Sequence, residues 1–497
     1  MFSEARPHCG VVGIIGQDDI IADLYFSLEG IDHRGHDSGG ILTFDGSNHY
    51  DRKGVGRLYD FVKPSFKDPE SLDYLPGTVG IAHNRYATTG HYKRLLKDAQ
   101  PEYLSVPFLA GVHNGNIVNV ADVLSKSWRK PRNDNDIQAL LIPFANYLDA
   151  NGRMDLESLF AAGKKVMEDA QGAYSAVFLN MTERKPTLFA MTDPAKIRPL
   201  VLGRSEERDR WCFASETCVL DTIGYEYVKD VPAGTMIVIR QGEAPVERKL
   251  MEGKPANCMF EWIYFARPDS TIEGRLVHDV RHNLGMWLAD KYPVEADVVI
   301  APPDSGRRLA AGYSLRSGIP YQEGLMKVRT DRSFILSKVE RESTVDSIKV
   351  IKPVVNEKRV VVVDDSIVRG TTMKKIIKKI RGKGATEVHL RIGCAPHIGP
   401  CYLGIDMTTS TQFFALNPDG KMKDMKQIRE ELDVNSIGYA DIAEIERRLG
   451  PDICTGCIRY PFPSGYPKDL IPLAEKLIGQ EVDGQRPYEA KPTKTSL

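Results

Sequence analysis

The sequence has no long hydrophobic run. Nowhere do its 497 residues hold the roughly 18 consecutive apolar side chains of a membrane-spanning helix. A secretory pattern is also missing, since the apolar stretch "VVGIIG" near the N-terminus is short and is soon followed by Asp18 and Asp19. Excess charge of one sign is absent: 66 Lys and Arg stand against 67 Asp and Glu, a formal net charge of -1. That balance gives no overall electrostatic case for nucleic acid or an anionic membrane as a partner, so any phosphate site must be local. The eight cysteines are too sparse for the disulfide framework of a small secreted domain, and metal ligation or catalysis is expected of them instead. There is no internal repeat, no low-complexity tract and no GxxxxGK[ST], which disfavours a P-loop nucleotidase. A cytoplasmic protein with about two to four domains is expected.

From Cys9 to about Ile239 the chain offers many short strand-like segments, among them "VVGII", "GILTF", "TVGIA", "FLAGV", "YSAVFL" and "TMIVI". Few helical patterns intervene; one runs from Ile20 to Leu28, with Ile21, Leu24, Tyr25 and Leu28 on a single face. "RQGEAPVERKLMEGKPAN" reads as a polar connection. Beyond it strands, loops and helices alternate, the signature of a mostly parallel α/β sheet. In "KRVVVVDDSIVRGTTMKKIIKKIRGKGATEVHLRI" the stripe Met373, Ile376, Ile377 and Ile380 predicts an amphipathic helix. Two more helices are predicted around Met425, Ile428 and Leu432 and around Ile442, Ile445 and Leu449. The last fifteen or so residues are polar and read as a loose tail.

The segment "VVVVDDSIVRGTT" carries the most chemistry. Four valines make a strand buried on both faces, and Asp364 and Asp365 emerge at the carboxyl edge where open α/β sheets bind ligands. Ser366, Gly370, Thr371 and Thr372 then lead into a helix, where backbone N–H groups, small residues and hydroxyls suit a monophosphate. A ribose between the phosphate and the carboxylates would keep the like charges apart.

This segment resembles the phosphoribosyl pyrophosphate signature of type I phosphoribosyltransferases, and its surroundings resemble the amidophosphoribosyltransferases, glutamine-dependent enzymes that open purine biosynthesis. The resemblance extends from Cys9 to about Tyr460. It implies an α+β and α/β chain: a propeptide over 1–8, a four-layer αββα Ntn-hydrolase glutaminase domain over 9–250, a type I phosphoribosyltransferase domain over 251–450, and a C-terminal segment over 451–497. It assigns Asp364 and Asp365 to the ribose hydroxyls and Ser366, Val368, Arg369, Gly370, Thr371 and Thr372 to the 5-phosphate. "PPDSGRRLAAGY" resembles the pyrophosphate-side loop and implicates Asp304, Ser305 and Gly306, with Mg²⁺ held by Ser305, Asp364 and Asp365.

Alone, Cys9 reads as a small core residue. In the family, however, the glutaminase nucleophile is a cysteine exposed by removal of a short leader, so that its own α-amino group serves as base. "CGVVGI" resembles that mature start. An amine of pKa about 7.7–8.0 is a suitable activator for a thiol of about 8.5. "GIAHNRYATTG" and "GVHNGNIVN" resemble the motifs in which an arginine grips the glutamine α-carboxylate and an Asn-Gly pair forms the oxyanion hole, here Arg85, Asn114 and Gly115. Asp134 in "RNDNDIQAL" stands where the substrate ammonium group is held. "DHRGHDSGG" and "FASETCVLDTIGYEYVKDVPAG" also resemble the family, and their residues are read as structural.

Cys258, Cys401, Cys454 and Cys457 form a further set, the last two in "CTGC". By chemistry alone zinc and an iron–sulfur cluster are balanced. The contexts resemble the cluster-bearing branch of the family, which implies a [4Fe–4S] centre, with zinc the lesser alternative. Cys212, Cys218 and Cys394 read as buried thiols. The lid loop departs from the family pattern: "KVRTDRSFILSKVERESTVDSIK" is one residue short between Lys327 and Arg332 and lacks the family's tyrosine, although Lys327, Arg329 and Arg332 suit phosphate. "DPAKIRPL" has Lys196 where a glycine is common. The expected activity is synthesis of 5-phosphoribosylamine from glutamine and phosphoribosyl pyrophosphate by a homo-oligomer inhibited by purine nucleotides. The alternatives are a paralogue with another phosphoribosyl acceptor and a non-catalytic sensor.

Overall fold

Strands that are apolar on both faces need cover above and below. The first half of the chain is built from such strands, and Gly10–Ile15 is buried along its whole length. The computed structural model describes residues 9–63, 71–86, 95–133, 135–182, 185–327, 348–405, 407, 413–459, 470–472 and 475. In it, Gly10–Ile15 lies within a seven-stranded sheet ordered Glu226–Asp230, Val201–Ser205, Arg210–Ala214, Gly10–Ile15, Val79–Arg85, Ser38–Phe44 and His49–Val55. A six-stranded sheet runs Val246–Lys249, Thr235–Arg240, Lys185–Thr192, Gly172–Thr182, Phe108–Ile117 and Glu102–Ser105. Both sheets are antiparallel throughout.

Alternation along one strand shows how the layers arise. Val11 and Ile15 enter the core between the sheets with Ala110, Val112, Val177 and Leu188. Val12 and Ile14 face the other way, onto Leu24, Leu28, Val219 and Leu220 of helices Ile21–Gly30 and Thr217–Ile223. Each such side chain gains about 1.5–3 kcal/mol from burial, so a one-residue slip would exchange two filled cores for two mismatched ones. The outer face of the second sheet buries Tyr174, Phe178 and Met191 against Phe144, Leu148 and Phe160 from helices Gln138–Asn151 and Leu156–Asp169. The layers are therefore helix, sheet, sheet, helix.

The polar stretch after Ile239 is more than a connection. Val246–Lys249 is an edge strand paired to Thr235–Arg240, and its mostly exposed side chains explain why it carries no apolar signature. The second half holds a parallel sheet ordered Val298–Ile300, Arg359–Asp364, Glu387–Ile392 and Ser436–Tyr439. Helix Thr371–Gly382 buries Met373, Ile376, Ile377 and Ile380 against it, as the spacing predicts. Helix Arg307–Ser317 ends at Gly318, which is left-handed at φ 75°. Helices Met425–Leu432 and Ile442–Leu449 are both present; Ile428, Leu432, Ile445 and Leu449 are buried, but Met425 is exposed.

The halves share one core. Ala173, Ala195 and Ile197 of the first pack with Met259, Phe260, Trp262 and Tyr402 of the second.

Candidate active sites

Cys9 immediately precedes the central strand Gly10–Ile15, and Gly10 is in register with Asn84, which places Arg85 beside Cys9 at the sheet's end. Burial raises the Cys9 thiol pKa, the Arg85 guanidinium opposes that rise, and the net shift is upward. A base is therefore needed to make the thiolate. Arg85 Nη2 lies 3.8 Å from Asp98 Oδ2, a loose ion pair. The carbonyl oxygen of Cys9 accepts a hydrogen bond from Arg34 Nε at 3.3 Å.

Asn114 and Gly115 come from Phe108–Ile117 in the facing sheet. Asn114 is fully buried, and neither polar atom of its amide has a hydrogen-bond partner among the described residues. An unpartnered buried amide costs about 1–3 kcal/mol, and both its donor and its acceptor are free to serve a ligand. Gly115 has φ +151°, and a Cβ there would lie 1.9 Å from the carbonyl oxygen of Ala173, so no side chain fits. Asp136 braces this strand: its Oδ2 accepts from the backbone N–H of Ile117 at 2.9 Å and lies 3.1 Å from His113 Nε2. Gln100 Oε1 accepts from the backbone N–H of His113 at 2.7 Å. A thiol, a guanidinium and a free amide donor suit acyl transfer from a carboxamide whose substrate carries a carboxylate.

In the second half, Val360–Val363 are wholly buried, and the strand delivers Asp364 and Asp365 to the sheet's carboxyl edge. There they line a pocket with Tyr264, Ser305, Val368 and Thr372. Burial raises the Asp365 pKa, while hydrogen bonds with Ser305 and Ser366 and the charge of Arg281 oppose the rise. Ser366 Oγ donates to Asp365 Oδ2 at 2.5 Å. Gly370, at φ 70°, is the N-cap of helix Thr371–Gly382 and supplies no side-chain cap, which leaves that terminus to a ligand. The neighbouring loop presses so close that a Cβ on Gly306 would lie 2.5 Å from the carbonyl oxygen of Val363. Asp304 is exposed, does not line this pocket, and pairs with Arg307 Nη1 at 2.8 Å. Lys327 pairs in register with Ile348, a residue of the pocket wall, and so stands at the rim.

Cys258 and Cys454 are direct neighbours in a two-stranded parallel ladder. The carbonyl of Cys457 accepts from the N–H groups of Ile398 and Gly399, both at 3.0 Å, which brings the Cys401 loop alongside. None of the eight cysteines forms a disulfide. Burial and the neighbouring thiols, Cys401 among them, push Cys258 up to about 12 and Cys457 well above its usual value. Among the described residues no group of three or more His, Cys, Asp or Glu side chains is arranged to hold a single metal ion.

The phosphoribosyl transferase domain family matches residues 272–399. The amidophosphoribosyltransferase of Methanothermobacter thermautotrophicus is 37% identical over 482 residues, covering 94% of this chain and 97% of its own. That of Methanocaldococcus jannaschii is 37% identical over 504 residues, covering 95% and 100%. The chain belongs to the amidophosphoribosyltransferase family. Among solved structures, the glutamine phosphoribosylpyrophosphate amidotransferase from B. subtilis complexed with ADP and GMP superposes with TM-score 0.77 at 32% identity, covering 91% of this chain and 97% of that one. The allosteric regulatory enzyme of purine biosynthesis gives TM-score 0.79 at 33% identity, covering 91% and 96%. The fold is thus an Ntn-hydrolase glutaminase half followed by a phosphoribosyltransferase half.

Against this amidophosphoribosyltransferase frame, Cys9 and Arg85 adjoin at one sheet end, Asn114 and Gly115 lie on the facing sheet, and Ser305, Asp364, Asp365, Ser366, Val368 and Thr372 converge on the second pocket. Asp134, Arg329 and Arg332 lie outside the described residues, as do residues 1–8. Cys212, Cys218 and Cys394 are buried as expected. Sequence reasoning missed Arg34, Asp136, Glu216, Glu261 and Arg281. The first and third of these sit in segments whose family likeness was visible and whose residues were read as structural, but burial of a lone charge depends on partners far along the chain.

Proposed function

We propose that the chain synthesises 5-phosphoribosylamine from glutamine and phosphoribosyl pyrophosphate, the first committed nitrogen transfer of purine biosynthesis. The observation that carries the reading is that one packed chain holds both the orphaned Asn114 amide facing a thiol half and the Asp364–Asp365 pocket under an uncapped helix. Residues 1–8 are a leader whose removal frees the Cys9 amine, 9–250 the glutaminase, 251–450 the transferase and 451–497 a C-terminal segment.

In the first half-reaction the Cys9 amine takes the thiol proton and the thiolate attacks the glutamine carboxamide carbon. Arg85 binds the α-carboxylate, and Asp134 is assigned to the α-ammonium group. Asn114 Nδ2 and the Gly115 main chain receive the oxyanion, preorganised donors of the kind worth about 3–4 kcal/mol in such steps. Ammonia departs, and water resolves the thioester to glutamate. In the second, ammonia attacks C1 of the ribose while the bond to pyrophosphate breaks, with inversion at C1. Asp364 and Asp365 hold the ribose hydroxyls, Ser366 to Thr372 the 5-phosphate, and Lys327 with Arg332 the pyrophosphate end. Free ammonia would be mostly protonated near neutral pH, so the nitrogen of glutamine passes internally between the halves, whereas added ammonium supplies only its small unprotonated fraction from solvent.

Ser305, Asp364 and Asp365 offer hard oxygen donors and would hold Mg²⁺, which neutralises charge on the leaving pyrophosphate. Cys258, Cys401, Cys454 and Cys457 would hold a [4Fe–4S] cluster as a structural cross-link. All four thiols are free, Cys258 and Cys454 are ladder neighbours, and the Cys457 carbonyl is bonded to the loop that leads to Cys401, a placement that fits such a group; the resemblance to the cluster-bearing branch favours it over zinc. The ADP and GMP of the B. subtilis complex support purine nucleotides as inhibitors. A cytoplasmic homo-oligomer completes the reading; no helix among the described residues is long and apolar enough to cross a membrane.

The test is pyrophosphate release from phosphoribosyl pyrophosphate by anaerobically purified protein, supplied with glutamine or with ammonium. Cys9→Ala should lose glutamine-dependent release by about 10³-fold or more while ammonium-dependent release stays near wild type. No release from wild type under either condition overturns the reading in favour of a sensor. Active glutaminase that retained residues 1–8 in mass spectra would overturn the role of the Cys9 amine.

A further inference from the structure

Helix Val277–Lys291, which follows the hairpin Thr271–Leu276, carries two imidazoles that neither half-reaction uses. His278 and His282 stand four positions apart and so share one face of its first two turns. Their ring centroids are 5.7 Å apart and the rings lie only 10° from parallel. His278 Nδ1 is 3.1 Å from Asp279 Oδ1. A carboxylate only accepts, so Nδ1 carries the proton and the Nε2 lone pair of His278 is left free. Burial, with the charge of His278 as a second cause, pulls the His282 pKa below 6.5, so at neutral pH that ring is uncharged and has a lone pair to give.

The backbone under the pair is fixed from three directions. The N–H groups of Val277 and His278 donate to the carbonyls of Ser270 and Pro268 at 2.9 and 2.8 Å, which anchors the start of the helix. One turn on, Arg281 donates to the carbonyls of Trp262 at 2.7 Å and Ala266 at 2.8 Å, across the π-turn Glu261–Phe265. Helix Arg307–Ser317 packs so closely that a Cβ on Gly312 would lie 1.9 Å from the carbonyl oxygen of His282, and one on Gly285 would lie 1.9 Å from that of Leu309. Both imidazoles therefore hang from main chain with no room to shift, and only their side-chain torsions are left to settle. Ligands placed on a rigid helix hold their geometry better than ligands on a loop.

We propose that His278 and His282 chelate one divalent transition-metal ion of the Zn²⁺, Ni²⁺ and Cu²⁺ class, with Asp279 as the outer carboxylate that orients His278. Two histidines at i and i+4 on a helix have the spacing at which imidazoles meet on one metal. A carboxylate on the remote ring nitrogen fixes the tautomer of a ligating histidine and makes it a stronger base. The donors also select the ion. Imidazole nitrogen suits Cu²⁺, Ni²⁺ and Zn²⁺ and not Mg²⁺, so the site is separate from the oxygen-lined transferase pocket. The partial positive charge of a helix N-terminus opposes a cation here, and Asp279 in the first turn offsets it. Among the described residues no group of three or more His, Cys, Asp or Glu is placed to hold one metal, so water fills the remaining positions and the ion exchanges freely. The inference does not depend on the functional reading above.

The experiment is equilibrium dialysis of the anaerobically purified full chain against Ni²⁺ with Mg²⁺ in excess, paired with thermal unfolding with and without Ni²⁺. It compares wild type with His278→Gln, His282→Gln, Asp279→Asn and a displaced pair, His282→Val combined with Asn283→His. Either single histidine variant should weaken the site by about 10²-fold, the loss expected when a chelate becomes a lone ligand. Asp279→Asn should weaken it by about 10-fold. The displaced pair keeps two histidines but turns one off the shared face, and it should bind no better than a single variant. Ni²⁺ should raise the thermal midpoint of wild type and leave those of the three histidine variants unmoved, because the ion binds the formed helix and not the unfolded chain. Without metal all variants should melt within about 2 °C of wild type, since the changes lie at partly exposed positions. Undiminished binding in the single variants overturns the inference and gives the metal to thiols or scattered imidazoles. So does binding by the displaced pair equal to wild type, and so does a wild type that takes up no more Ni²⁺ than either single variant.

Discussion

His397 is fully buried, with its ring edge-on to Phe260 at 5.0 Å and Nε2 3.8 Å from Cys394 Sγ. Its Nδ1 has no hydrogen-bond partner among the described residues, and burial pulls its pKa down from 6.5 to about 4. The fold therefore holds this imidazole neutral, whereas the unfolded chain binds a proton below about 6.5. With fewer protons on the native state, stability is complete above that pH, falls as pH drops from 6.5 toward 4, and levels off below. Between pH 7.5 and pH 5 the loss from this one group is about 2 kcal/mol. Urea unfolding at the two pH values should show it in wild type, and His397→Leu should flatten the difference by a similar amount. An unchanged pH slope in the variant would place the acid sensitivity elsewhere. At this scale the sequence is legible where chemistry is local: Cys9 before a glycine-rich strand and Asn114 before Gly115 announce themselves. Arg34 does not, because its partners Glu216 and Glu261 stand 182 and 227 positions away.

Elements with a strong period were legible for the same reason they fold. Helix Thr371–Gly382 shows its stripe because four apolar side chains on one face leave it a single orientation. The strand Val246–Lys249 hid because an exposed edge needs no alternation, and the π-turn at Glu261 hid because nothing in five residues distinguishes it from an α-turn. The turn at Lys196 is a further case. Lys196 is left-handed at φ 46°, yet its side chain is buried, paired with Glu273 and 3.5 Å from Asp230, so it joins the first-half sheet to the hairpin Thr271–Leu276. Lys196→Met keeps the strained backbone and leaves two carboxylates without their cation. It should cost about 2 kcal/mol, below the usual toll for a broken buried pair because Glu273 is partly exposed. Lys196→Gly loses the same pair but relaxes the turn, and should be the milder change by about 1 kcal/mol. Thermal unfolding of the two variants decides the order; equal losses would mean that φ 46° stores no strain.

At the scale of the molecule, two halves with separate chemistry would ordinarily unfold separately. Their boundary here is not a thin linker. Ala173, Ala195 and Ile197 sit in one apolar cluster with Met259, Phe260 and Trp262, while Arg34 and Arg198 place their charges on Glu261 across the same boundary. Separating the halves would bare that apolar surface, leave Arg34 with Glu216 alone and take Glu261 from Arg198. The strand-like pairing of Ala195 and Ile197 with Ala256 and Cys258 carries the junction on to the cysteine set, through hydrogen bonds of 2.7 and 3.1 Å. Neither half then has a stable state of its own to populate during unfolding. Calorimetry should accordingly give one transition, and glutamine-dependent and ammonium-dependent activities should vanish at midpoints within about 2 °C of each other. Two resolved transitions, with glutaminase outliving the transferase or the reverse, would show that the shared core is a contact surface between independent domains, and that the ion pairs of Glu261 with Arg34 and Arg198 add little to the joint.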